Sequence, residues 1–209
     1  GLKISYILEA KIGIPIARNR VLDGLPDNAE ALAWVDDDEL PYENWLESLI
    51  LTQAGTSAAI VMGAIEAILP ENTPDWVKRG GFFNRRRFID RATLTEGATN
   101  NCLVMIGPIR NNGLRFEEKM RYSGGTDTLF LRQAAALDMS IVWSPAALVR
   151  EYIPAERCTL RWLIKRHFRA GNTLAICDWK IDGIKGGATR FGQALHRIFQ
   201  ALPNLRLAV

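Results

Sequence analysis

Cysteine and histidine are scarce in this sequence, and that scarcity excludes several chemistries at once. The three cysteines, Cys102, Cys158 and Cys177, are odd in number and far apart. They argue against a disulfide framework and offer no pair with metal-ligand spacing, so they read as buried or reduced thiols. His167 and His196 are equally isolated, which argues against a zinc site. No apolar run reaches the roughly 18 residues that a transmembrane helix needs. No signal peptide is expected, since Gly1-Leu2-Lys3 opens directly into strand-like Ile4-Ser5-Tyr6-Ile7-Leu8. A start without methionine, in mid-pattern, is what a fragment or a processed chain shows. Charge of either sign is not in large excess. Basic residues number 26 and acidic ones 23, a net +3, too little to indicate nucleic acid by itself.

What is present suits one domain with a sizeable core: 209 residues, 48% hydrophobic and 23% charged. There is no internal repeat and no low-complexity segment. Pro15 starts a short helix that runs to about Leu22, closed by Gly24 and Pro26. Ala31-Leu32-Ala33-Trp34-Val35 reads as a buried parallel strand that ends abruptly in Asp36-Asp37-Asp38-Glu39. The spacing of Trp45, Leu46, Leu49 and Ile50 predicts a helix over 42–53. Ala58 to Met62 is another buried strand. Ile65 to Ala98, with Pro70, Pro74, Gly80, Gly81 and Arg85-Arg86-Arg87, reads as a long excursion over the surface.

Further along, Asn101 to Ile106 is strand-like, and Ser123-Gly124-Gly125-Thr126-Asp127 leads into a helix to about Leu137. Ile141-Val142-Trp143 and Leu148 to Tyr152 read as two more short strands. Thr159 to Ala170 is a helix stopped by Gly171-Asn172. Strands alternating with helices predict an α/β architecture with a largely parallel sheet.

Open α/β sheets bind ligands beyond the carboxyl ends of their strands, where the acidic run 36–39 stands. Three carboxylates there repel one another unless a cation or a donor-rich ligand is present. A hard divalent ion takes oxygen ligands, commonly one or two carboxylates together with substrate phosphates. The site reading is therefore a metal–diphosphate site. The bland reading is a solvated loop that caps the following helix. Asp127 has two readings as well. It is a general base presented by a glycine turn, or an aspartate favoured at a helix N-terminus by capping and the macrodipole.

Taken together and in chain order, these segments resemble the family 2 glycosyltransferases of bacterial polysaccharide assembly, across nearly all of Gly13 to Gly171. Ala17-Arg18-Asn19 resembles the family's G-x-x-x-ARN segment. Trp34 to Pro41 resembles its strand ending in D-x-D, and Trp45-Leu46 the W-L that follows. Pro74-Asp75-Trp76 resembles P-x-W, Thr99-Asn100-Asn101 resembles T-x-N, and Arg115-Phe116 resembles R-F-D/E. Gly124-Gly125-Thr126-Asp127-Thr128 is similar to G-G-E-D-T. Arg150 to Arg157 resembles V-x-E-x-x-P-x-x-R, and Arg166 to Gly171 resembles R-x-x-R-x-G. The nearest type is the non-processive, succinoglycan-type glucosyltransferases; Cys158 stands where the processive Q-x-x-R-W requires glutamine.

The resemblance implies a GT-A fold over 1–175; the C-terminal helical extension expected at 176–209 lies outside it. It implies an inverting, metal-dependent transfer from a nucleotide-diphosphate sugar, expected to be a UDP-sugar, to a saccharide or lipid-diphosphate-linked acceptor. Arg18, Asp36, Asp37 and Asp38 are the implied donor-site residues, with Asp38 holding Mg²⁺ or Mn²⁺. Asp127 is the implied catalytic base. Trp76, Asn101, Gly124, Gly125, Arg157, Arg166 and Arg169 are the implied acceptor or phosphate contacts. Two departures accompany it. Thr126 replaces the glutamate before the base, and the family's opening segment, about two βα units or on the order of 60 residues, is expected ahead of Gly1. The rival reading is a degenerate GT-A module that binds nucleotide, glycan or a partner without turnover. A sugar nucleotidyltransferase is disfavoured, because no glycine-rich, Lys/Arg-bearing N-terminal loop is visible.

Arg157, Arg161, Lys165 and Arg169 recur every four residues, with Leu160, Leu163, Ile164 and Phe168 on the opposite face. This helix reads either as a surface helix packed on the core or as a dock for an anionic membrane surface or a lipid-diphosphate acceptor. Aromatics are not interleaved with these charges, so no nucleic acid is expected. Phe191, Leu195, Ile198 and Leu202 suggest one more amphipathic helix. The expected location is cytoplasmic, peripheral on the inner face of the plasma membrane.

Overall fold

The computed structural model describes residues 4–205, with side chains described through residue 183. Its elements follow in order as α1 (Ile14–Asp23), β1 (Ala31–Val35), β2 (Glu39–Pro41), α2 (Trp45–Thr56), β3 (Ile60–Ile68) and α3 (Asp75–Gly80). They continue with β4 (Asn101–Met105), α4 (Ile106–Asn111), α5 (Thr126–Ala136), β5 (Ile141–Tyr152) and α6 (Leu160–Leu205). The strands form one sheet in the order β1-β4-β3-β5-β2.

Alternation along the central strands builds the core, because successive side chains of a strand point to opposite faces. Ile60, Met62 and Ala64 of β3, Cys102 and Val104 of β4, and Ile141 and Trp143 of β5 join Phe116 and Phe130 in the larger cluster. Val61, Leu103 and Val142 point the other way, into a second cluster with Leu49 of α2. The sheet is therefore covered on both faces. Phe116 and Phe130 stack at 4.2 Å between ring centres, and Trp34 meets Phe116 edge-on at 6.2 Å.

The sheet is mixed rather than largely parallel. Among the described residues β3 and β5 run parallel, while β1–β4, β3–β4 and β2–β5 are antiparallel. Ala31–Val35 is thus a half-exposed strand with an antiparallel partner, not a buried parallel one. Its apolar run signalled a strand, but apolarity does not report direction. Ile4–Leu8, expected as a strand, forms no ladder. The two short strands expected after α5 are one strand, β5, which kinks instead of ending.

That kink is specific. The β3–β5 register shifts between Gly63 and Ala64, whose partners are Ser144 and Leu148, so residues 145–147 bulge out. Pro145 fits there, since proline cannot donate to a ladder. Asn101 closes the bulge: its Nδ2 donates to Ala64 O at 2.8 Å and to Ala147 O at 2.9 Å, and its Oδ1 accepts from Trp45 Nε1 at 2.7 Å. A Cβ on Gly63 would lie 2.2 Å from Ala147 O, so only glycine fits beside this bracket.

The excursion after β3 is shorter and more internal than its composition suggests. The strand extends to Ile68 before α3 begins. Val77, Phe83, Leu94 and Thr99 are all buried. The helix expected to stop at Gly171 continues as α6 to Leu205, with non-helical φ/ψ at Gly183. One glycine costs a helix only about 1 kcal/mol and does not end it without a capping turn or proline. Thr173, Ile176 and Cys177 beyond it pack on the start of α5 and its neighbours. Position 175 falls inside this helix. The side chains of Phe191, Leu195, Ile198 and Leu202 lie outside the described residues. Among the described residues no helix is long and apolar enough to cross a membrane.

Candidate active site

Arg18 is the centre of the site. It lies on α1, is only 8% exposed, and reaches three segments distant in sequence. Its Nη2 donates to Asp36 Oδ1 at 3.0 Å, and its Nη1 donates to Asp127 Oδ1 and, at 2.5 Å, to Thr99 Oγ1. The first aspartate of the acidic run and the aspartate of the glycine turn therefore share one guanidinium. Burial works against the charge of Arg18, but Asp127 and Asp36 more than offset it and the net shift is upward. Trp34 and Phe116 flank the group, with ring centres at 5.7 and 5.5 Å from its carbon.

Local backbone explains how Asp127 arrives there. Gly124 and Gly125 have φ of 76° and 81°, the left-handed region that glycine enters without a Cβ penalty. A Cβ on Gly125 would also lie 2.1 Å from Thr173 Cγ2 of α6. The turn drops Asp127 into the first turn of α5, yet its carboxylate accepts from Arg18 and from Thr126 Oγ1 at 3.4 Å. The bland reading of Asp127 as a cap does not describe its contacts.

The acidic run behaves similarly. Asn44 occupies the N-cap position of α2, so none of residues 36–39 caps that helix. Asp37 and Asp38 are exposed, and Asp36 is half-buried. Burial pushes the Asp36 carboxyl up, Arg18 opposes the shift, and Asp127 and Asp38 add to it. Glu39 accepts from Asn100 Nδ2, while its Oε2 is buried without a partner. Burial pushes its carboxyl up to about 7, the Asn100 hydrogen bond opposes this, and Asp36 and Glu151 add to it.

Glu39 supplies the first testable consequence. A carboxyl raised from its ordinary range to about 7 contributes stability that is complete below its unfolded pKa and is lost as pH rises through the folded value. Glu39→Gln removes that loss. In metal-free buffer the variant is expected to gain about 1–2 kcal/mol on the native protein between about pH 5 and pH 8, after discounting for partial exposure. Denaturant unfolding at the two pH values reads it, and parallel pH profiles would refute the assignment.

The Thr99-Asn100-Asn101 segment divides its work among three residues. Thr99 accepts from Arg18, Asn100 donates to Glu39, and Asn101 brackets the bulge. Asn101, expected as an acceptor or phosphate contact, is 1% exposed, and its amide hydrogen-bonds to Ala64 O, Ala147 O and Trp45 Nε1 within the scaffold. Asn19 exchanges two 2.9 Å hydrogen bonds with the backbone of Phe116, and Arg115 pairs with Asp23 through both carboxylate oxygens. Trp76 lies apart, edge-on to Phe82 at 5.7 Å.

Arg157 and Arg166 come together around Trp162, while Arg169 is exposed nearby. Sequence reasoning gives Thr99, Glu39 and Glu151 no site role of their own, although they stand in the T-x-N segment, the acidic run and the V-x-E segment; Arg85 reads only as part of the basic run Arg85-Arg86-Arg87. A cavity of about 260 Å³ is walled by Gly63, Arg85, Phe88, Glu96, Asn100, Asn101, Thr128 and Trp143; Asn100 is the donor to Glu39, and Thr128 follows Asp127 in the chain.

A divalent ion was tested against the donors present. Among the described residues no cluster of three or more Asp, Glu, His or Cys could hold a metal alone. The donor set is nevertheless hard oxygen, with Asp38 exposed beside Asp36. Such a set fits an ion that keeps water and draws its remaining ligands from a bound diphosphate.

The chain shares its fold with solved sugar-nucleotide complexes. One is S. aureus TarS 1–349 in complex with UDP-GlcNAc, at a TM-score of 0.53 and 14% identity, covering 90% of this chain and 52% of that one. Another is GalNAc-T7 with UDP, GalNAc and Mn²⁺, at a TM-score of 0.53 and 12% identity, covering 79% and 37%. The fold is therefore that of the GT-A glycosyltransferases, a mixed sheet flanked by helices. No protein-family model matches the chain. Within the GT-A class it resembles family 2 and has a curated homologue, the succinoglycan biosynthesis protein ExoM of Rhizobium meliloti (strain 1021), 35% identical over 170 residues. That alignment covers 81% of this chain and 54% of the relative, so the chain spans about half the length of the curated relative it matches.

Proposed function

We propose that the chain carries the catalytic half of a non-processive family 2 glycosyltransferase of bacterial polysaccharide biosynthesis, moving a sugar from a UDP-sugar to a saccharide or lipid-linked acceptor with inversion. The single observation that carries this is the shared guanidinium of Arg18. It couples the acidic strand end, where a diphosphate belongs, to Asp127, the one carboxylate placed to accept a proton beside it. Relatedness to a succinoglycan biosynthesis protein and a fold shared with UDP-sugar complexes support the substrate class.

In this reading Asp38, with Asp36 beside it, would hold Mg²⁺ or Mn²⁺. When bound, the ion neutralises charge on the departing diphosphate. Asp36 also orients the donor, with Arg18 fixing its rotamer. The sugar ring occupies the cavity beside Thr128 and Trp143. Asp127 accepts the acceptor hydroxyl's proton as that oxygen bonds to the anomeric carbon. The bond from that carbon to the diphosphate oxygen breaks with its electron pair, releasing UDP. Acceptor oxygen and leaving group lie on opposite sides of the carbon, so configuration inverts. Position supplies most of the rate, since a held pair reacts as a single molecule.

Calorimetric titration of UDP with and without Mn²⁺, beside Asp38→Ala, tests this reading. Metal-dependent affinity lost in the variant is expected. An unchanged metal response in Asp38→Ala would place the ion elsewhere. Thr126, buried where the family has glutamate, favours the rival reading of a binding module without turnover. UDP binding without sugar transfer would select that rival.

A peripheral membrane contact at the inner face belongs to the same proposal. Leu160, Ile164 and Phe168 form an exposed apolar stripe along α6, at 61%, 60% and 81% exposure. Exposed Arg161, Lys165 and Arg169 flank it. An apolar stripe beside a basic one suits an anionic headgroup layer. The chain is expected to sediment with phosphatidylglycerol vesicles, and replacing the three apolar residues by serine should release it. Sedimentation that survives the triple variant would remove this contact.

A further inference from the structure

Arg132 of α5 holds two carboxylates from different segments. Its Nε donates to Glu96 Oε2 at 2.9 Å and its Nη2 to the same oxygen, while its Nη1 donates to Asp178 of α6. Burial works against the charge of Arg132, but Glu96 and Asp178 more than offset it and the net shift is upward. One carboxylate would neutralise this guanidinium; the second leaves the cluster with excess negative charge. Asp178 is the buried member, with its side chain 9% exposed. Glu96 is 40% exposed and stands in the wall of the cavity of about 260 Å³. Among the described residues its Oε1 has no hydrogen-bond partner.

Helical spacing brings the parts together. Residues four apart share a helix face, so Thr128 and Arg132 lie on one side of α5, and Leu174 and Asp178 on one side of α6. Thr128 Oγ1 donates to Gly97 O at 3.3 Å, next to the Arg132–Glu96 contact. Gly97 sits tightly on Met62 of β3, whose Cε would lie 2.1 Å from a Cβ there. Met62, Thr128 and Leu174 line the same cavity as Glu96. Residues 96–97 are thus clamped between β3 and α5, with one carboxylate oxygen left over at the cavity wall. An ion pair that served only to fasten α6 to α5 would need Asp178 alone.

We propose that Glu96 reads the hydroxyls of the donor sugar and that Arg132 is the positioning residue that aims it. A carboxylate accepts hydrogen bonds and donates none, so it selects a sugar that carries a hydroxyl at this wall. Hydrogen bonds to a charged group are the stronger kind, and a site built around one rejects an analogue that lacks the hydroxyl. Placing a sugar in this cavity rests on the glycosyl-transfer reading.

The test is calorimetric titration of UDP beside UDP-glucose, UDP-galactose and UDP-N-acetylglucosamine, all with Mn²⁺; the sugar nucleotide that binds tightest is carried forward. Glu96→Ala is expected to weaken that nucleotide about tenfold or more and to leave UDP within about twofold. Arg132→Lys, which keeps charge but not the fork, should shift the same ratio by less. Asp178→Asn, which loosens α6 without touching Glu96, should leave the ratio unchanged. Among monodeoxy analogues of the chosen sugar, the one lacking the hydroxyl that Glu96 reads should bind native protein and Glu96→Ala equally. A native ratio in Glu96→Ala, shown to be folded by circular dichroism, overturns the sugar contact. So does an Asp178→Asn shift as large as that of Glu96→Ala, or a full Glu96 effect on every deoxy analogue. UDP binding with an unchanged ratio removes the sugar contact alone, whereas a native protein that binds neither UDP nor any UDP-sugar removes the transfer reading as well.

Discussion

Asp127→Asn is expected to lower sugar transfer by about 10³-fold while leaving UDP affinity within about twofold. The argument is one of geometry and of what asparagine retains. An amide of the same shape can still accept from Arg18 through its oxygen, so the turn and the first turn of α5 keep their positions. Asp36 remains tied to Nη2 of Arg18, and the donor side is untouched. What disappears is a carboxylate able to take the proton from an attacking hydroxyl. UDP release in the presence of acceptor measures the rate, and calorimetry measures the affinity. Equal loss of both would show that Asp127 holds the donor site together instead of acting as a base. Full activity in the variant would move the base elsewhere.

The second large effect belongs to Arg18. Replacing it by methionine keeps the apolar contact with Trp34 and Phe116 but leaves Asp36 and Asp127 facing each other without a counter-charge. Breaking a buried pair costs about 3–5 kcal/mol, and the partial exposure of both carboxylates reduces this to about 2–4 kcal/mol. Transfer should fall as well, because two segments of the site lose their common anchor. Stability separates the two consequences. The double variant Arg18→Met, Asp127→Asn should be less destabilised than the sum of the single variants, by about 1–3 kcal/mol. That saving is the repulsion removed with the Asp127 charge. Strict additivity in denaturant unfolding would show that the guanidinium does not couple the two carboxylates.

Much of this site was legible before any coordinates. Gly124-Gly125 announced a turn with positive φ, and the structure has one at both glycines. The acidic run and Asp127 were each ambiguous alone. Only the capping half of each bland reading fails, since Asn44 takes the N-cap of α2 and Gly125 that of α5; Asp37 and Asp38 are exposed in a loop and Asp127 stands in the first turn of α5, as those readings have it. Arg18 read as a donor contact, and three of its hydrogen bonds go to Asp127, Asp36 and Thr99. Asn101 read as an acceptor or phosphate contact, and the structure shows its amide holding a strand kink. Asparagine in a motif carries the same letters whether its amide faces a ligand or two backbone carbonyls.

The sequence by itself determined α1, α2, α5 and the central strands, because apolar periodicity and glycine or proline punctuation act over a few residues; it did not show β2, α3 or α4, and the strand it suggested at 4–8 is not formed. It also determined the family resemblance, because ordered motifs survive without any knowledge of contact. The tertiary structure alone decided strand direction, the β5 bulge, the passage of α6 through Gly171, and the meeting of Arg18 with residues 18 and 109 positions away. Direction and long-range pairing depend on which faces bury each other and which buried polar groups find partners. Those are properties of the packed chain, and no local stretch of sequence encodes them.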